Sequence, residues 1–201
     1  MLDYEKTLDP KFEFIAGCDE AGRGCLAGEL VVACVILPRN YANSKINDSK
    51  KLTKVKRQAL FDEIIQNALD YQIIVRSVKD INQSNPKAES KLGMKLAVQN
   101  LKLKPDLVIT DFEKIDLDIN QINLVKGDSL SLNVAAASIL AKVTKDNLMT
   151  KHALTYPEYD FENNQGYGTK KHLEALQKHG ITPIHRLKYK PIANLTIKDK
   201  F

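Results

Sequence analysis

Short apolar runs separated by turns are the most regular feature along the first half of this chain. Runs rich in Val, Ile and Leu are typical of strands that are buried in a sheet. The sequence predicts strands at 13–18, 30–37, 73–78 and 107–111, and a weaker one at 122–125.

Helical spacing follows the second of these runs. Thr53 has the character of an N-cap, because Leu60, Ile64 and other apolar residues follow it on one helical face. Further helices are predicted at 88–101 and from an Ala-rich stretch at 134–143, which opens a long helix. Strands that cluster first and later alternate with helices predict an α/β domain with a mixed sheet.

The C-terminal quarter has a different composition. Beyond residue 157 the density of Gly, Pro and aromatic residues rises. We therefore expect a core at 1–156 and a small lobe of loops and short helices at 157–201, joined in one continuous structural unit.

The overall composition narrows the class of protein. The chain has 201 residues, of which 43% are hydrophobic and 27% charged, as in ordinary globular proteins, which excludes a disordered tail or linker. No apolar run is long enough to span a bilayer, and the first residues lack a signal-peptide pattern, so we expect a cytoplasmic protein without a membrane partner.

Three cysteines, Cys18, Cys25 and Cys34, form no C-x-x-C pair. We therefore expect neither a disulfide framework nor a zinc site, and any catalytic metal must have oxygen ligands.

Positive charge is concentrated at the C-terminal end. Residues 166–201 contain eight lysines and arginines and two acidic residues, whereas the net charge of the whole chain is +5. A second basic group occupies 50–57. Clustered basic residues favour a polyanionic partner, although a solvated surface would have the same composition.

Acidic residues stand where predicted strands end: Asp19, Glu20, Asp111 and Asp128. Carboxylates that converge at one edge of an open sheet repel one another unless a cation neutralises them, and Mg²⁺ and Mn²⁺ prefer such ligands. Two such ions can activate a water and stabilise the leaving oxygen of a phosphodiester. The alternative is four unrelated surface acids.

The segment 22–28 narrowly misses a dinucleotide-binding fingerprint, and a strand follows it where that fold needs a helix, so nicotinamide binding is rejected. A Gly22-Arg23-Gly24 loop beside Asp19 could instead present amides and a guanidinium to a nucleic acid, or be only a tight turn. Tyr167 lies between two glycines and is either exposed for stacking or a packing residue. His185 is expected to be structural.

Several strings together resemble ribonuclease HII, the type 2 ribonuclease H family, over about 14–191. The strings are GCDEAGRG at 17–24, DSKKLT at 48–53, KGD at 126–128, AAASILAKV at 135–143, GYGT at 166–169 and TPIHR at 182–186.

The resemblance implies an RNase H-like fold with a small C-terminal helical lobe. It implies that Asp19, Glu20, Asp111 and Asp128 are the catalytic and metal-binding quartet for two Mg²⁺ or Mn²⁺ ions. Substrate-binding residues are then Gly22, Arg23, Gly24, Lys50 and Tyr167. The glycine loop would read ribose 2′-hydroxyls at an RNA-to-DNA junction, and the tyrosine would stack on the next deoxyribose.

The activity implied is endonucleolytic cleavage of the RNA strand of RNA/DNA hybrids, and of single ribonucleotides in duplex DNA, leaving 3′-hydroxyl and 5′-phosphate ends. Such an activity belongs to DNA replication and repair, and we expect a monomer. Two alternatives stay open: a ribonuclease HIII-like nuclease, which usually carries an additional N-terminal domain, and a non-catalytic nucleic-acid-binding module of the same fold. The dozen residues before the first predicted strand favour the HII type.

The chain departs from the family pattern at several positions. Cys25 and Glu29 stand where prolines are usual, Phe112 where a glycine is common, and 188–190 reads Lys-Tyr-Lys in place of an Arg-Ser-Phe-like stretch. Asp106, Asp116 and Asp118 lie near Asp111 in the sequence, but Asp111 alone directly closes an apolar strand.

Overall fold

The computed structural model describes residues 2–47, 49 and 52–198, the last three by their backbone only. Its strands are β1 (Ile15–Ala21), β2 (Leu30–Ile36), β3 (Asp70–Arg76), β4 (Leu107–Asp111) and β5 (Gln121–Leu124). Its helices are α1 (Lys54–Asn67), α2 (Val78–Gln83), α3 (Pro86–Asn100), α4 (Leu132–Thr155), α5 (Phe161–Asn164), α6 (Lys170–His179) and α7 (Lys190–Lys198).

The five strands form one mixed sheet in the order β3-β2-β1-β4-β5. β1, β2 and β3 pair antiparallel, as consecutive strands often do, whereas β1, β4 and β5 run parallel. The predicted mixed α/β sheet is thus confirmed. Its central strand is β1, which is buried along almost its whole length.

Helices cover both faces of the sheet. On one face α1 and α4 pack on β2 through the alanines 135–137 and neighbouring Ile and Leu residues, and on the other α3 packs through Met94 and Ala97. Gly17 allows α4 to approach β1 closely, because a Cβ there would lie 2.3 Å from the backbone of Asn133. The small side chains therefore bring the start of α4 directly against the central strand.

Helix termini follow the polar signals in the sequence. The Thr53 hydroxyl accepts a hydrogen bond from the Lys56 amide at the start of α1, as predicted. The strand predicted at 13–18 begins two residues later and continues to Ala21, and the one predicted at 73–78 occupies Asp70–Arg76. The short helix α2 is not among the predicted helices; it begins at a reciprocal capping pair between Ser77 and Asp80, which competes with extension of β3.

The expectation about the cysteines is wrong for two of the three. Cys18 and Cys34 form a disulfide, because the antiparallel register of β1 and β2 places them directly opposite each other. Their separation of 16 residues carries no such signal in the sequence. Cys25 is free and buried, as a small apolar residue would be.

The C-terminal elements surround a core of their own. Tyr159, Phe161, Leu176 and Ile192 are buried there, and Met149 of α4 contributes from the sheet side. This core also includes residues 26 and 27, which follow the glycine loop. The C-terminal region therefore packs directly on the segment that leaves β1. Within the described part of the chain, no helix has the length and apolarity that crossing a bilayer requires.

Candidate active site at the carboxyl ends of β1 and β4

Two predicted acidic residues are brought together by strand pairing. β1 and β4 are parallel neighbours whose register pairs Cys18 with Thr110, so Asp19 and Asp111 follow at the same edge of the sheet. This edge is where open α/β sheets bind their ligands. Asp19 is 6% exposed and its Oδ1 accepts a hydrogen bond of 2.7 Å from the Glu20 amide.

The electrostatics of Asp19 show which other carboxylates lie close to it. Burial raises the pKa of Asp19 well above its usual value, and the negative charges of Glu20, Asp111 and Asp128 raise it further. The other three predicted acids therefore all act on Asp19. A divalent cation would relieve this repulsion, whereas isolated surface acids would not experience it.

Asp128 reaches the site through a short turn. It lies in a 3₁₀ turn (Gly127–Ser129) just before α4 and is 7% exposed. The Gly127 amide donates a hydrogen bond of 2.8 Å to Asp111 Oδ1, which ties this turn to the end of β4. Lys126, at φ +60°, makes the sharp reversal that returns the chain from β5 to the site.

Glu20 and Arg23 belong to a small polar network. Glu20 Oε2 accepts a hydrogen bond of 3.0 Å from the Ser90 hydroxyl of α3, and Oε1 lies 3.4 Å from Arg23 Nη1. Burial raises the pKa of Glu20, and the Arg23 charge and the Ser90 hydrogen bond oppose that rise. Arg23 Nη1 also donates to Glu113 Oε1 at 3.0 Å.

Glu113 and Ser90 carry no signal in the sequence that selects them for the site. Glu113 is 5% exposed and lies two residues after Asp111, and its side chain pairs with Arg23. Proximity to the end of β4 is its one local feature, and the nearby aspartates share it. Pairing with Arg23 distinguishes Glu113, and that contact exists only in the folded chain.

The donor set fits a hard divalent ion. Among the described residues, no three His, Cys, Asp or Glu side chains are arranged so that together they could hold a metal ion. Mg²⁺ is usually held by one or two carboxylates, with water and substrate phosphate oxygens completing its octahedron, so it does not need an all-protein cage. Buried carboxylates with mutual repulsion at an open cleft match that mode of binding.

A cleft of about 170 Å³ connects these acids with the predicted substrate-binding residues. Its lining includes three of the four acids, Asp19, Glu20 and Asp111, together with the Gly22-Arg23-Gly24 loop and Tyr167. A Cβ on Gly24 would lie 3.9 Å from the Tyr167 ring, so the loop and the tyrosine are neighbours. Asp128 does not line the cleft, although its charge acts on Asp19.

Tyr167 is exposed at the cleft but firmly supported. The residue is 40% exposed, and the ammonium groups of Lys142 and Lys145 lie 5.9 and 5.4 Å from its ring centre. Partial burial and the nearby Cys25 raise the pKa of its hydroxyl. The ring therefore stays a neutral, partly open aromatic face, suited to stacking.

The remaining predicted residues fall into two groups. Lys50 lies outside the described residues, although its neighbour Ser49 lines the cleft. His185 is buried and hydrogen-bonded to the Thr182 amide and to His172, as a structural histidine is.

One basic residue of the cleft has no counterpart among the predicted site residues. Lys142 of α4 lines the cleft and forms an ion pair of 2.6 Å with Asp146. Its position in the Ala-rich segment 135–143 predicts a helix and does not indicate which neighbours the side chain meets.

The chain is similar to known proteins over nearly its whole length. The family model described as ribonuclease HII matches residues 16–192. A ribonuclease HII of Mycoplasma capricolum is 49% identical over 197 residues, covering 97% of this chain and 95% of that protein. A ribonuclease HII of Lactobacillus johnsonii is 47% identical and covers 96% of this chain and 77% of its own length.

Solved structures share the fold. The crystal structure of ribonuclease H2 from Pyrococcus horikoshii superimposes with a TM-score of 0.80 at 25% identity, covering 93% of this chain and 99% of that one. A Bst-RNase HIII structure in complex with Mn²⁺ superimposes with a TM-score of 0.68 at 16% identity, covering 98% of this chain and 73% of that one. The second likeness concerns the fold alone.

Proposed function

The chain belongs to the ribonuclease HII family and is a ribonuclease H acting on RNA/DNA hybrids, and we propose that it also cleaves single ribonucleotides embedded in duplex DNA, using two divalent ions. The observation that carries the proposal is the position of Asp19 and Asp111 at the same edge of the sheet, where the charges of Glu20, Asp111 and Asp128 raise the pKa of buried Asp19.

The four carboxylates are the ligands that we assign to the ions, Mg²⁺ or Mn²⁺. When bound, such ions supply a water of lowered pKa and stabilise the leaving oxygen of a phosphodiester. Asp19, the most buried of the three acids that line the cleft, holds its orientation through the Glu20 amide. The Gly127 amide orients Asp111 in the same way. Because these hydrogen bonds already orient the two carboxylates, little rearrangement is needed for them to bind cations.

Recognition of the RNA-to-DNA junction is assigned to the glycine loop and the tyrosine of the cleft. Gly22, Arg23 and Gly24 present a loop suited to a ribose hydroxyl, the group by which RNA differs from DNA. Tyr167, beside Gly24, offers its ring to the adjacent deoxyribose. We also assign Lys50 to substrate binding, from its place in the motif at 48–53.

The test uses the purified chain and a DNA duplex with one internal ribonucleotide, with Mg²⁺, with Mn²⁺ or with EDTA. We expect one cut 5′ to the ribonucleotide, with a 3′-hydroxyl, in either metal and none in EDTA. A uniform hybrid should be cut by the same protein. Cutting of the hybrid without cutting at a single ribonucleotide would favour an HIII-like specificity.

Asp19→Asn is the matched control for the metal site. Asparagine keeps the shape of the side chain and an oxygen acceptor for the Glu20 amide, but it lacks the charge that a cation needs. We expect a folded protein with cleavage at least about 10³-fold lower, in line with loss of a metal ligand. Binding without cleavage by the wild-type chain in both metals would identify a non-catalytic binding module.

A further inference from the structure

A buried arginine of the C-terminal region is hydrogen-bonded to the backbone of the glycine loop, Gly22-Arg23-Gly24. Arg186 is fully buried, and its guanidinium donates to backbone carbonyls on both sides of the loop. Nη1 donates to Gly22 O at 2.7 Å and to Arg23 O at 3.2 Å. Nε donates to Gly28 O at 2.9 Å and Nη2 to Glu29 O at 3.0 Å.

A tyrosine hydroxyl adds to this cluster of donors. The Tyr189 hydroxyl donates a hydrogen bond to the Arg23 carbonyl. It also lies 3.5 Å from Arg186 Nη1, and the guanidinium carbon is 5.9 Å from the Tyr189 ring centre. The Arg23 carbonyl is therefore held by two side chains from the same C-terminal segment.

The orientation of these carbonyls determines where two amides point. In a trans peptide the N–H points opposite to the C=O of the same unit, and the described chain has no cis peptide. Since the Gly22 and Arg23 carbonyls face Arg186, the Arg23 and Gly24 amides face the other way. Both residues line the cleft, and neither amide donates a hydrogen bond within the described residues.

We infer that Arg186 and Tyr189 are positioning residues that set the Arg23 and Gly24 amides as two fixed donors for an acceptor oxygen of the nucleic acid. This inference rests on the proposed function, and deepens it by naming the residues that orient the glycine loop. The guanidinium charge also polarises both peptide units, which strengthens their N–H groups as donors. The acceptor is a ribose 2′-hydroxyl or a phosphate oxygen.

Tyr189→Phe is the sharpest test, because it removes one hydroxyl and leaves the ring in place. Tyr159→Phe is its matched control: the Tyr159 hydroxyl also donates to backbone carbonyls in the C-terminal region, those of His179 and Gly180, but away from the loop. Each variant is combined with Asp19→Asn so that affinity can be measured without cleavage, on a duplex with one ribonucleotide and on the same duplex without it.

We expect Tyr189→Phe to weaken binding of the ribonucleotide duplex by about 2- to 10-fold, the range for one hydrogen bond, and Tyr159→Phe to leave it unchanged. A fall confined to the ribonucleotide duplex identifies the 2′-hydroxyl as the acceptor, and an equal fall on both duplexes identifies a phosphate oxygen. Arg186→Lys, which keeps the charge but not the fork of donors, should have a larger effect than Tyr189→Phe.

A second measurement does not depend on nuclease activity. In the free protein, Tyr189→Phe should shift the amide NMR signals of Arg23 and Gly24, and Tyr159→Phe should not. Unshifted signals, or equal effects of Tyr189→Phe and Tyr159→Phe on binding, would overturn the inference. Shifted signals in a protein that cleaves no substrate would leave the positioning role standing and reject the proposed function instead.

Discussion

Two residues near the ends of β1 and β4 lower the stability of the fold, one through its buried charge and the other through its backbone conformation. Asp19 is buried among three other carboxylates, and Phe112 adopts φ +66°, a left-handed conformation that bulky side chains avoid. Phe112 is 58% exposed, so little packing compensates for it. Strained and like-charged groups of this kind are concentrated at functional sites.

Replacing the buried charge should stabilise the protein. Folding raises the pKa of Asp19, so this carboxyl opposes folding at any pH above its unfolded pKa, and its cost shrinks as the pH falls towards that value. Asp19→Asn removes the cost at neutral pH. We expect a higher melting temperature, by about 2–4 °C for each kcal/mol gained, measured by calorimetry without divalent ions. An unchanged or lower melting temperature would show that repulsion between Asp19 and its neighbouring carboxylates does not destabilise the fold.

Relief of the backbone strain at Phe112 is a separate prediction. Phe112→Gly should raise the free energy of unfolding by about 0.5–1 kcal/mol, because the left-handed penalty exceeds the extra entropy that glycine has when unfolded. Urea denaturation measures the change. Phe112→Ala retains a Cβ at positive φ and should give no gain. Equal effects of the two variants would show that the strain is absent.

Among the secondary-structure elements, α6 and the loop before α7 are joined by a chain of histidines. The Thr182 amide donates to His185 Nδ1 at 2.8 Å, so the proton of that ring is on Nε2, which donates to His172 Nε2 at 3.1 Å. His172 Nδ1 then donates to the Tyr167 carbonyl at 2.9 Å. Both rings are neutral in this arrangement, and an added proton would remove an acceptor.

The packing of these elements should therefore be sensitive to acid. Burial lowers the pKa of His172, and burial with the neighbouring ring lowers the pKa of His185 to about 4. Unfolded histidines take up protons near pH 6.5, so the stability is complete above that pH and falls as the pH drops towards 4, by at most about 1.4 kcal/mol per pH unit for each histidine.

Urea denaturation between pH 7.5 and 4.5 measures this decrease. His172→Asn combined with His185→Asn should lower the stability at neutral pH but flatten its dependence on pH. The exposed His179, in the same helix as His172, provides the control, since His179→Gln should leave the slope unchanged. If the double variant kept the wild-type dependence of stability on pH, the acid sensitivity would arise from carboxylates and not from these two histidines.

Across the molecule as a whole, the sheet separates two pairs of exposed lysines. The acids lie at the carboxyl ends of β1 and β4, and Lys170 and Lys171 begin the helix that follows the Tyr167 turn. Lys102 and Lys104 precede the amino end of β4 and so lie at the opposite edge. All four lysines are exposed.

Affinity for nucleic acid should depend on the first pair and not on the second. Lys170→Gln with Lys171→Gln should weaken binding and reduce the slope of log affinity against log salt by up to about 0.9 for each phosphate that these lysines neutralise. Fluorescence anisotropy at several salt concentrations, on a duplex with one ribonucleotide, gives both values. Lys102→Gln with Lys104→Gln should leave the slope unchanged. If the two double variants gave equal slopes, the C-terminal basic residues would not belong to the binding surface.

Local signals in the sequence account for most of the elements. Apolar runs and capping residues located the five strands and the starts of the long helices to within a few residues, because burial and helix starts depend on neighbouring positions. The motif at 17–24 and the acids at 111 and 128 led to the prediction of four carboxylates, and in the folded chain the charges of the other three act on Asp19. The sequence did not predict Glu113, Ser90 and Lys142 as site residues, because contacts with residues distant in the chain place them there.

The five strands and the starts of the long helices could be read from the chain alone, because each depends on residue type and short spacing. The acidic residues and the glycine loop were singled out by strings that resemble a family, whereas their spacing by itself left unrelated surface acids and a tight turn as alternatives. Three contacts required the folded molecule: Cys18 faces Cys34, Arg23 pairs with Glu113, and Arg186 reaches the carbonyls of the loop. These contacts depend on strand register and on helix packing, in which small shifts between remote segments determine which side chains meet.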